Sequence, residues 1–242
     1  MVPDGERVAV SRVHRTPEDA RRAYNRLSRW YDALANASEG PLRDRGLAVL
    51  GARPGDRVLE IGFGTGHGLL RLAECVGASG FVAGVDISDG MAALAGRRLV
   101  EAGQGGPILV TVADGPYLPY GAAGFDAVFM SFTLELFDTP RLPEVLASCR
   151  RVLRPGGRLV VVALVSDGDD AGVAVKLYEM AHRRLPRWVD CRPIPLRRLL
   201  AAHGFCIARA ERQAMWGLPV DIVSAQGQED AYVWWVLRQQ GD

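Results

Sequence analysis

Two kinds of hydrophobic pattern alternate along the middle of this chain. Short runs rich in Val, Ile and Leu are typical of buried parallel strands. Five such runs lie at residues 58–62, 81–86, 108–112, 125–131 and 158–164. Apolar residues at three- and four-residue spacing predict helices between them, at 67–76, 89–102 and 142–153. This order predicts a doubly wound α/β fold, with a mostly parallel sheet and helices on both faces.

The N-terminal residues are predicted to form a helical cap. Apolar spacing predicts one helix over 18–34 and a second, short helix over 41–50. We find neither an internal repeat nor a low-complexity tract, so the chain is interpreted as one domain of residues 1–242. The cap would span residues 1–52 and the central α/β core residues 53–165.

The regular alternation weakens after residue 164. Helices are predicted over 173–185 and 196–203. The segments 206–215 and 218–224 are expected to form an antiparallel pair of strands that completes one edge of the sheet. Residues 166–242 would therefore supply both a lid and the last strands.

Composition and charge exclude several classes of protein. Hydrophobic residues make up 48% and charged residues 24%, which is ordinary for a globular chain. With 29 basic and 28 acidic residues, the net charge of +1 gives no overall field to hold a nucleic acid. The first ten residues lack a secretory signal, and no apolar run approaches the roughly 20 residues of a membrane span. A cytoplasmic location is expected. The four cysteines lack paired short spacing, so no metal site is predicted.

The first strand runs directly into three glycines at alternate positions, Gly62, Gly64 and Gly66, and a predicted helix follows at once. Such a turn lets backbone N–H groups and a helix N-terminus approach a ligand. A dinucleotide fingerprint would need its third glycine where this chain has His67. An NAD(P)-dependent oxidoreductase is therefore disfavoured, although it stays open as an alternative on the same topology.

Carboxylates follow the next two predicted strands. Asp86 ends the second strand, 24 residues after Gly62, where an acidic side chain can bind both hydroxyls of a ribose. Ala113 and Asp114 follow the third strand, where a carboxylate could accept the amino group of an adenine. Two acidic positions beside a glycine turn suit a nucleoside ligand without phosphates.

Five motifs in this order resemble those of the class I S-adenosylmethionine-dependent methyltransferases. They lie at residues 58–66, 84–91, 113–120, 124–128 and 152–159. The chain is most similar to the small-molecule branch that includes the ubiquinone and menaquinone C-methyltransferases, over about residues 20–165. The resemblance implies a seven-stranded Rossmann-like sheet, S-adenosylmethionine as cofactor, and methyl transfer to carbon, nitrogen or oxygen of a small-molecule or lipid-like acceptor. A non-catalytic sensor domain that retains the cofactor site is a further alternative.

The resemblance also implies a role for particular residues. Glu60 would orient the methionine end of the cofactor, Asp86 would hold the ribose, and Asp114 the adenine. The full set of expected cofactor contacts is Tyr31, Glu60, Gly62, Gly64, Gly66, Asp86, Ile87, Met91, Ala113, Asp114 and Ser131.

The acceptor is expected beside the end of the fourth strand, under the N-terminal helix. The quinone enzymes carry an Arg-Asn pair after this strand, where this chain has Glu135 and Leu136. If Glu135 faces the pocket, it would repel a phenolate and favour an amine or a cationic head group. His182 is the best general-base candidate by its near-neutral pKa. Expected acceptor contacts are Tyr24, Phe132, Glu135, Tyr178, His182 and Arg192, with His182 and Glu135 as candidate catalytic residues. A local arginine cluster over 183–192 leaves peripheral membrane contact open, and the oligomeric state, monomer or homodimer, is not predicted.

Overall fold

The computed structural model describes residues 17–103, 106–166 and 192–228, with the backbone alone at residues 17, 20 and 23–36. Its main elements follow one another in the order α1 (Pro17–Leu50), β1 (Arg57–Ile61), α2 (His67–Val76), β2 (Phe81–Asp86), α3 (Asp89–Glu101), β3 (Ile108–Val112), β4 (Phe125–Ser131), α4 (Leu142–Val152), β5 (Leu153–Leu164), α5 (Leu196–Ala202), β6 (Phe205–Met215) and β7 (Leu218–Gly227). The predicted helix over 173–185 lies outside the described residues.

One seven-stranded sheet has the strand order β3-β2-β1-β4-β5-β7-β6. Strands β1 to β5 pair in parallel, whereas β7 is antiparallel to both β5 and β6. The doubly wound fold and the antiparallel edge pair are therefore confirmed. The strand order reverses between β1 and β4, and ligands of open α/β sheets bind outside the carboxyl ends of strands at such a point.

The sheet is buried on both faces because successive side chains of its central strands point to opposite sides. In β4, Val128 and Met130 join the apolar cluster that packs against α4 and α5. Ala127 and Phe129 join the cluster on the other face, beneath α1, α2 and α3. These continuous apolar strands hold the carboxyl edge of the sheet rigid.

The prediction of two N-terminal helices is wrong, because a single helix, α1, includes Pro41 in its interior. The packing of α1 on the sheet outweighs the cost of the missing N–H at Pro41. A Cβ atom placed on Gly46 would lie 2.5 Å from Cγ2 of Val162. Arg158 of β5 also donates to the carbonyls of Leu50, at 2.5 Å, and Gly51, at 3.0 Å. Helix α1 thus runs antiparallel to β5: Gly46 lies at Val162 and Leu50 at Arg158, so the earlier turns of the helix lie nearer the carboxyl edge of the sheet.

The boundary between α4 and β5 also differs from the expectation. The sequence Pro155-Gly156-Gly157 was interpreted as the stop of a helix ending at residue 153, but α4 ends at Val152 and β5 begins at once. Leu153 already pairs with Phe125 of β4, across an irregularity in the ladder.

Among the described residues, no helix has the length and apolar character needed to cross a membrane.

Candidate cofactor and acceptor site

The turn between β1 and α2 is built on three glycines in the left-handed region, with φ of 73° at Gly62, 53° at Gly64 and 86° at Gly66. A Cβ atom on Gly66 would lie 2.7 Å from Cβ of Ala95, and one on Gly62 would overlap Thr133. Around Gly64, in contrast, no atom of the described residues lies within 4 Å of such a Cβ. Gly64 therefore faces open space, and a ligand can approach its backbone closely.

Asp86 at the end of β2 is tied to this turn. Its Oδ2 accepts a hydrogen bond of 2.9 Å from the N–H of Gly64, and its Oδ1 accepts one of 2.9 Å from the N–H of Ser88. Burial raises the pKa of Asp86 to about 6, opposed by hydrogen bonds from Ser88, Gly64 and Ile87. The side chain is thus a fixed carboxylate at neutral pH, beside the open face of Gly64.

A cleft of about 320 Å³ opens next to the end of β3. It is lined by Glu18, Arg21, Ile87, Val112, Ala113 and Asp114. Oδ2 of Asp114 accepts a hydrogen bond of 2.5 Å from Nη2 of Arg141. Oδ1 of Asp114 is buried and has no hydrogen-bond partner among the described residues. An amino group bound in the cleft could donate to this oxygen.

Glu60 of β1 is almost wholly buried, with 3% of its surface exposed. Its Oε1 lies against the first turn of α2, where a Cβ on Gly68 would collide with it. Its Oε2 has no hydrogen-bond partner within the described part of the chain. Burial raises the pKa of Glu60 to about 8; Arg43 lowers it and Asp86 raises it further. A buried, unpaired carboxyl of this kind suits a cationic amino group.

These groups share one edge of the sheet, at the carboxyl ends of β1, β2 and β3. Their chemistry fits a ligand that carries ribose hydroxyls, an exocyclic amine and an ammonium group. The glycine turn could bind an anion, but the site also has three carboxyl groups, Glu60, Asp86 and Asp114, which disfavour a diphosphate. The arrangement therefore fits an S-adenosylmethionine-like nucleoside.

On the other side of the switch point, the chain leaves β4 through Ser131 and Phe132. Phe132 is buried at φ 50°, and its N–H donates to the carbonyl of Val162 at 2.8 Å. Glu135 follows in a short 3-10 helix, Leu134–Leu136, and is wholly buried. Its Oε1 accepts a hydrogen bond of 3.2 Å from the N–H of Leu164, but its Oε2 has no partner among the described residues. Glu135 thus lies at the carboxyl ends of β4 and β5.

The predicted acceptor contact Arg192 is engaged by the protein itself. Only 1% of the residue is exposed. Its Nε donates to the carbonyl of Glu135 at 3.2 Å, Nη1 to Oγ1 of Thr139 at 2.9 Å, and Nη2 to the carbonyl of Phe137 at 2.5 Å. Arg192 therefore fastens the loop after β4, a role that the sequence did not indicate. Its contact with an acceptor stays a prediction.

The remaining predicted residues fall into three groups. Ile87 and Ala113 line the cleft, and Met91 is buried in the first turn of α3, where its N–H donates to Oγ of Ser88 at 3.1 Å. Tyr24 and Tyr31 lie on α1, of which only the backbone is described there. Tyr178 and His182 lie outside the described residues.

Sequence reasoning missed two charged residues of α1, Glu39 and Arg43. Burial raises the pKa of Glu39 to about 7, with Arg43 lowering it, and the same arginine acts on Glu60. Their spacing of four on one helix face could have indicated that the pair belongs together. Only the packing of α1 shows that they face the site.

The buried carboxyls predict an unusual pH dependence of stability. Burial raises the pKa of Glu39 to about 7 and those of Glu60 and Glu135 to about 8, above their ordinary value of 4.5. Each buried carboxyl stabilises the fold by being protonated. This contribution to stability is fully present below the carboxyl's pKa in the unfolded chain, and it is lost as the pH rises through the raised pKa of the folded protein. We expect the free energy of unfolding to fall by about 3 kcal/mol between about pH 5.5 and about pH 8.5. Urea denaturation at each pH measures it.

A matched pair of variants isolates the contribution of Glu135 to this pH dependence. Glu135→Gln should flatten the fall, whereas Glu144→Gln, at an exposed carboxylate of α4, should leave it unchanged. A wild-type protein that becomes more stable from about pH 5.5 to about pH 8.5 would contradict the assignment.

Comparison with known proteins agrees with this geometry. Residues 58–157 match a family model described as a methyltransferase domain. The chain is 35% identical over 133 residues to the ubiquinone/menaquinone biosynthesis C-methyltransferase UbiE of Ectopseudomonas mendocina, covering 55% of this chain and 50% of that protein. It is 37% identical over 136 residues to the nocamycin O-methyltransferase of Saccharothrix syringae, covering 56% and 48%. The chain thus spans about half the length of the curated relatives it matches.

A solved structure shares the fold over nearly the whole chain. It is the 1,6-didemethyltoxoflavin-N1-methyltransferase of Burkholderia thailandensis with bound 1,6-didemethyltoxoflavin and S-adenosylhomocysteine, at 20% identity and a TM-score of 0.63, covering 93% of this chain and 97% of that one. In its fold, its glycine turn and the residues matched, the chain is similar to class I S-adenosylmethionine-dependent methyltransferase domains. Its relatives include ubiquinone/menaquinone C-methyltransferases, and this similarity implies S-adenosylmethionine as the cofactor.

Proposed function

We propose that this chain transfers a methyl group from S-adenosylmethionine to a small-molecule or lipid-like acceptor. The observation that carries the proposal is one edge of the sheet, where the carboxylate of Asp86 lies beside the open face of Gly64 and where Asp114 and Glu60 each have a buried oxygen without a partner among the described residues. When bound, the cofactor supplies an already activated methyl group on a sulfonium. The protein then has mainly to align the acceptor, and such alignment can contribute several kcal/mol.

Each residue of this edge would have a distinct task. The carboxylate of Asp86, held in place by the N–H of Gly64, would accept the ribose hydroxyls, and the unpaired Oδ1 of Asp114 would accept the adenine amino group. Glu60 would pair with the ammonium group of the methionine end. Ser131, at the end of β4, would then lie near the transferred methyl group.

Similarity to known proteins does not decide which atom of the acceptor, carbon, nitrogen or oxygen, receives the methyl group. One relative is named as a C-methyltransferase and another as an O-methyltransferase. As part of the proposal, Tyr24, Phe132, Tyr178 and His182 contact the acceptor, and residues 166–242 supply its lid as well as the strands that complete the sheet. The protein would work in the cytoplasm.

Equilibrium binding tests the first requirement of the proposal, which is that the chain binds the cofactor. Calorimetry should detect S-adenosylhomocysteine binding at micromolar affinity and no binding of NAD, because the third glycine of a dinucleotide turn is replaced by His67. Labelled S-adenosylmethionine added with a small-molecule extract should then yield a labelled product. Tight NAD binding without S-adenosylhomocysteine binding would favour an oxidoreductase, and binding without any labelled product would favour a sensor.

A further inference from the structure

Two carboxyls from distant parts of the chain meet on the acceptor side of the site. Glu135 follows β4, and Glu39 lies on α1, 96 positions earlier in the numbering. Repulsion from Glu39 is among the causes that raise the pKa of Glu135, after the larger effect of burial. Glu135 lies at the carboxyl ends of β4 and β5, where its Oε1 accepts from the N–H of Leu164. Helix α1 packs on β5, since a Cβ atom on Gly46 would lie 2.5 Å from Cγ2 of Val162. Glu39 precedes Gly46 by about two helical turns, on the same face of α1 and towards the carboxyl edge.

The charged neighbours of this pair are few and are already engaged. Arg43 lies one helical turn from Glu39, acts on both Glu39 and Glu60, and also pairs with Asp44 at 3.0 Å. Arg192 lowers the pKa of Glu135, and it donates hydrogen bonds to the carbonyls of Glu135 and Phe137 and to Oγ1 of Thr139. Oε2 of Glu135 has no hydrogen-bond partner within residues 17–103, 106–166 and 192–228. A fully buried carboxylate oxygen without a partner is costly unless a proton or a cation joins it.

We propose that Glu39 and Glu135 bind the positively charged head group of the acceptor, which makes the substrate a basic amine. This assignment rests on the proposed function, because it requires the acceptor to lie beside Ser131. Glu135 lies at the carboxyl ends of β4 and β5, where the cofactor's reactive end is expected, and its Oε2 is buried without a hydrogen-bond partner among the described residues. Glu60, on β1, would bind the methionine end instead. An ammonium group donates up to three hydrogen bonds and would satisfy both acids at once.

One of these residues can also accept the proton that an amine acceptor must lose before methylation. An ammonium group has no lone pair, so one N–H bond must break before methylation, and an O–H bond forms on the carboxylate of Glu135. The freed lone pair then forms the new N–C bond while the methyl C–S bond breaks and its electrons return to sulfur. Burial makes Glu135 a stronger base than an exposed carboxylate, because it raises the pKa to about 8.

A purely structural pair offers the main competing explanation. In that case the two acids would share a proton and would have no affinity for a cation. The two explanations differ in one observable, since only a cation site binds an ammonium compound better than its neutral analogue. They also differ in pH dependence, because a bound ammonium group displaces the proton and therefore binds more tightly as pH rises.

Calorimetry on the full chain, saturated with S-adenosylhomocysteine, provides the test. Butylammonium chloride and 1-butanol are titrated at about pH 8. We expect saturable binding of butylammonium, at least about tenfold tighter than of butanol, and tightening from about pH 6 to about pH 8.5. Glu135→Gln and Glu39→Gln should each weaken it at least about tenfold, whereas Glu144→Gln, at an exposed site, should match the wild type.

Each other result overturns the assignment. No saturable binding of butylammonium, equal binding of butanol, or unchanged affinity in both glutamine variants would show that the pair is structural. S-Adenosylhomocysteine affinity, measured first in every variant, separates this outcome from failure of the proposed function. If it is intact while butylammonium does not bind, only the amine acceptor is lost; if it is absent in the wild type, the methyltransferase proposal falls.

Discussion

Alanine in place of Asp86 should weaken binding of S-adenosylhomocysteine by at least about 100-fold. The carboxylate has two tasks, since it would hold the ribose hydroxyls and it accepts the N–H groups of Gly64 and Ser88 at 2.9 Å each. Hydrogen bonds to a charged group contribute about 1.5–3 kcal/mol each, so losing the ribose contacts alone accounts for this factor. Calorimetry at neutral pH measures the effect.

Further measurements separate binding by Asp86 from its support of the turn. Asp86→Asn keeps the size of the side chain but loses its charge, and we expect it to bind with an affinity between those of the wild type and the alanine variant. Glu74→Gln, on the exposed face of α2, should bind as the wild type does. Wild-type affinity should also decrease as pH falls below about 6, because the pKa of Asp86 is about 6. Retention of wild-type affinity by Asp86→Ala would overturn the site.

Two glycines of the same turn should lose different amounts of stability when each is replaced by alanine. At Gly66, with φ 86°, a Cβ would lie 2.7 Å from Cβ of Ala95 and 2.9 Å from its Cα. Gly66→Ala should therefore lower the free energy of unfolding by about 3 kcal/mol or more, since both backbone strain and overlap oppose it. At Gly64, φ is 53° and the Cβ would meet nothing described within 4 Å, so the loss should be only about 1 kcal/mol.

Gly64→Ala should impair cofactor binding far more than it impairs stability. Its Cβ would enter the space that the cofactor needs, so Gly64→Ala should lose at least about 100-fold in S-adenosylhomocysteine affinity while remaining folded. Gly96→Ala, in the middle of α3 with open space around it, should gain about 1 kcal/mol of stability and bind normally. Urea denaturation and calorimetry on the same samples measure both quantities. Normal binding by Gly64→Ala would show that the ligand does not contact this turn.

Most of the fold was predictable because its signals are local. The bounds of β2, β3, β4 and α2 agree with the sequence prediction, and the antiparallel pair was expected. In this central region each buried strand is a short apolar run, and each helix carries its own period. The N-terminal cap was predicted less well, since Pro41 is compatible with the helix only through the packing of its later turns on the sheet.

The cofactor half of the site was likewise visible in the sequence, because its residues stand at the ends of three strands or directly after them. Parallel strands bring their carboxyl ends to one edge, so the order of Gly62, Asp86 and Asp114 along the chain became their order in space. The sequence showed that Glu135 departs from the pattern of the quinone enzymes. It did not show that Glu135 is buried or that its Oε2 has no hydrogen-bond partner among the described residues.

The sequence by itself determined the alternation of strands and helices, the glycine turn and the acids that follow two strands, all of which depend on neighbours within a few residues. Tertiary structure alone decided that Arg192 fastens the loop after β4 and that repulsion from Glu39 of α1 reaches Glu135. These interactions join residues 57 and 96 positions apart, and no local pattern encodes them. They arise because folding the sheet brings α1 and the segment before α5 to the same buried edge, where unpaired charges must find partners.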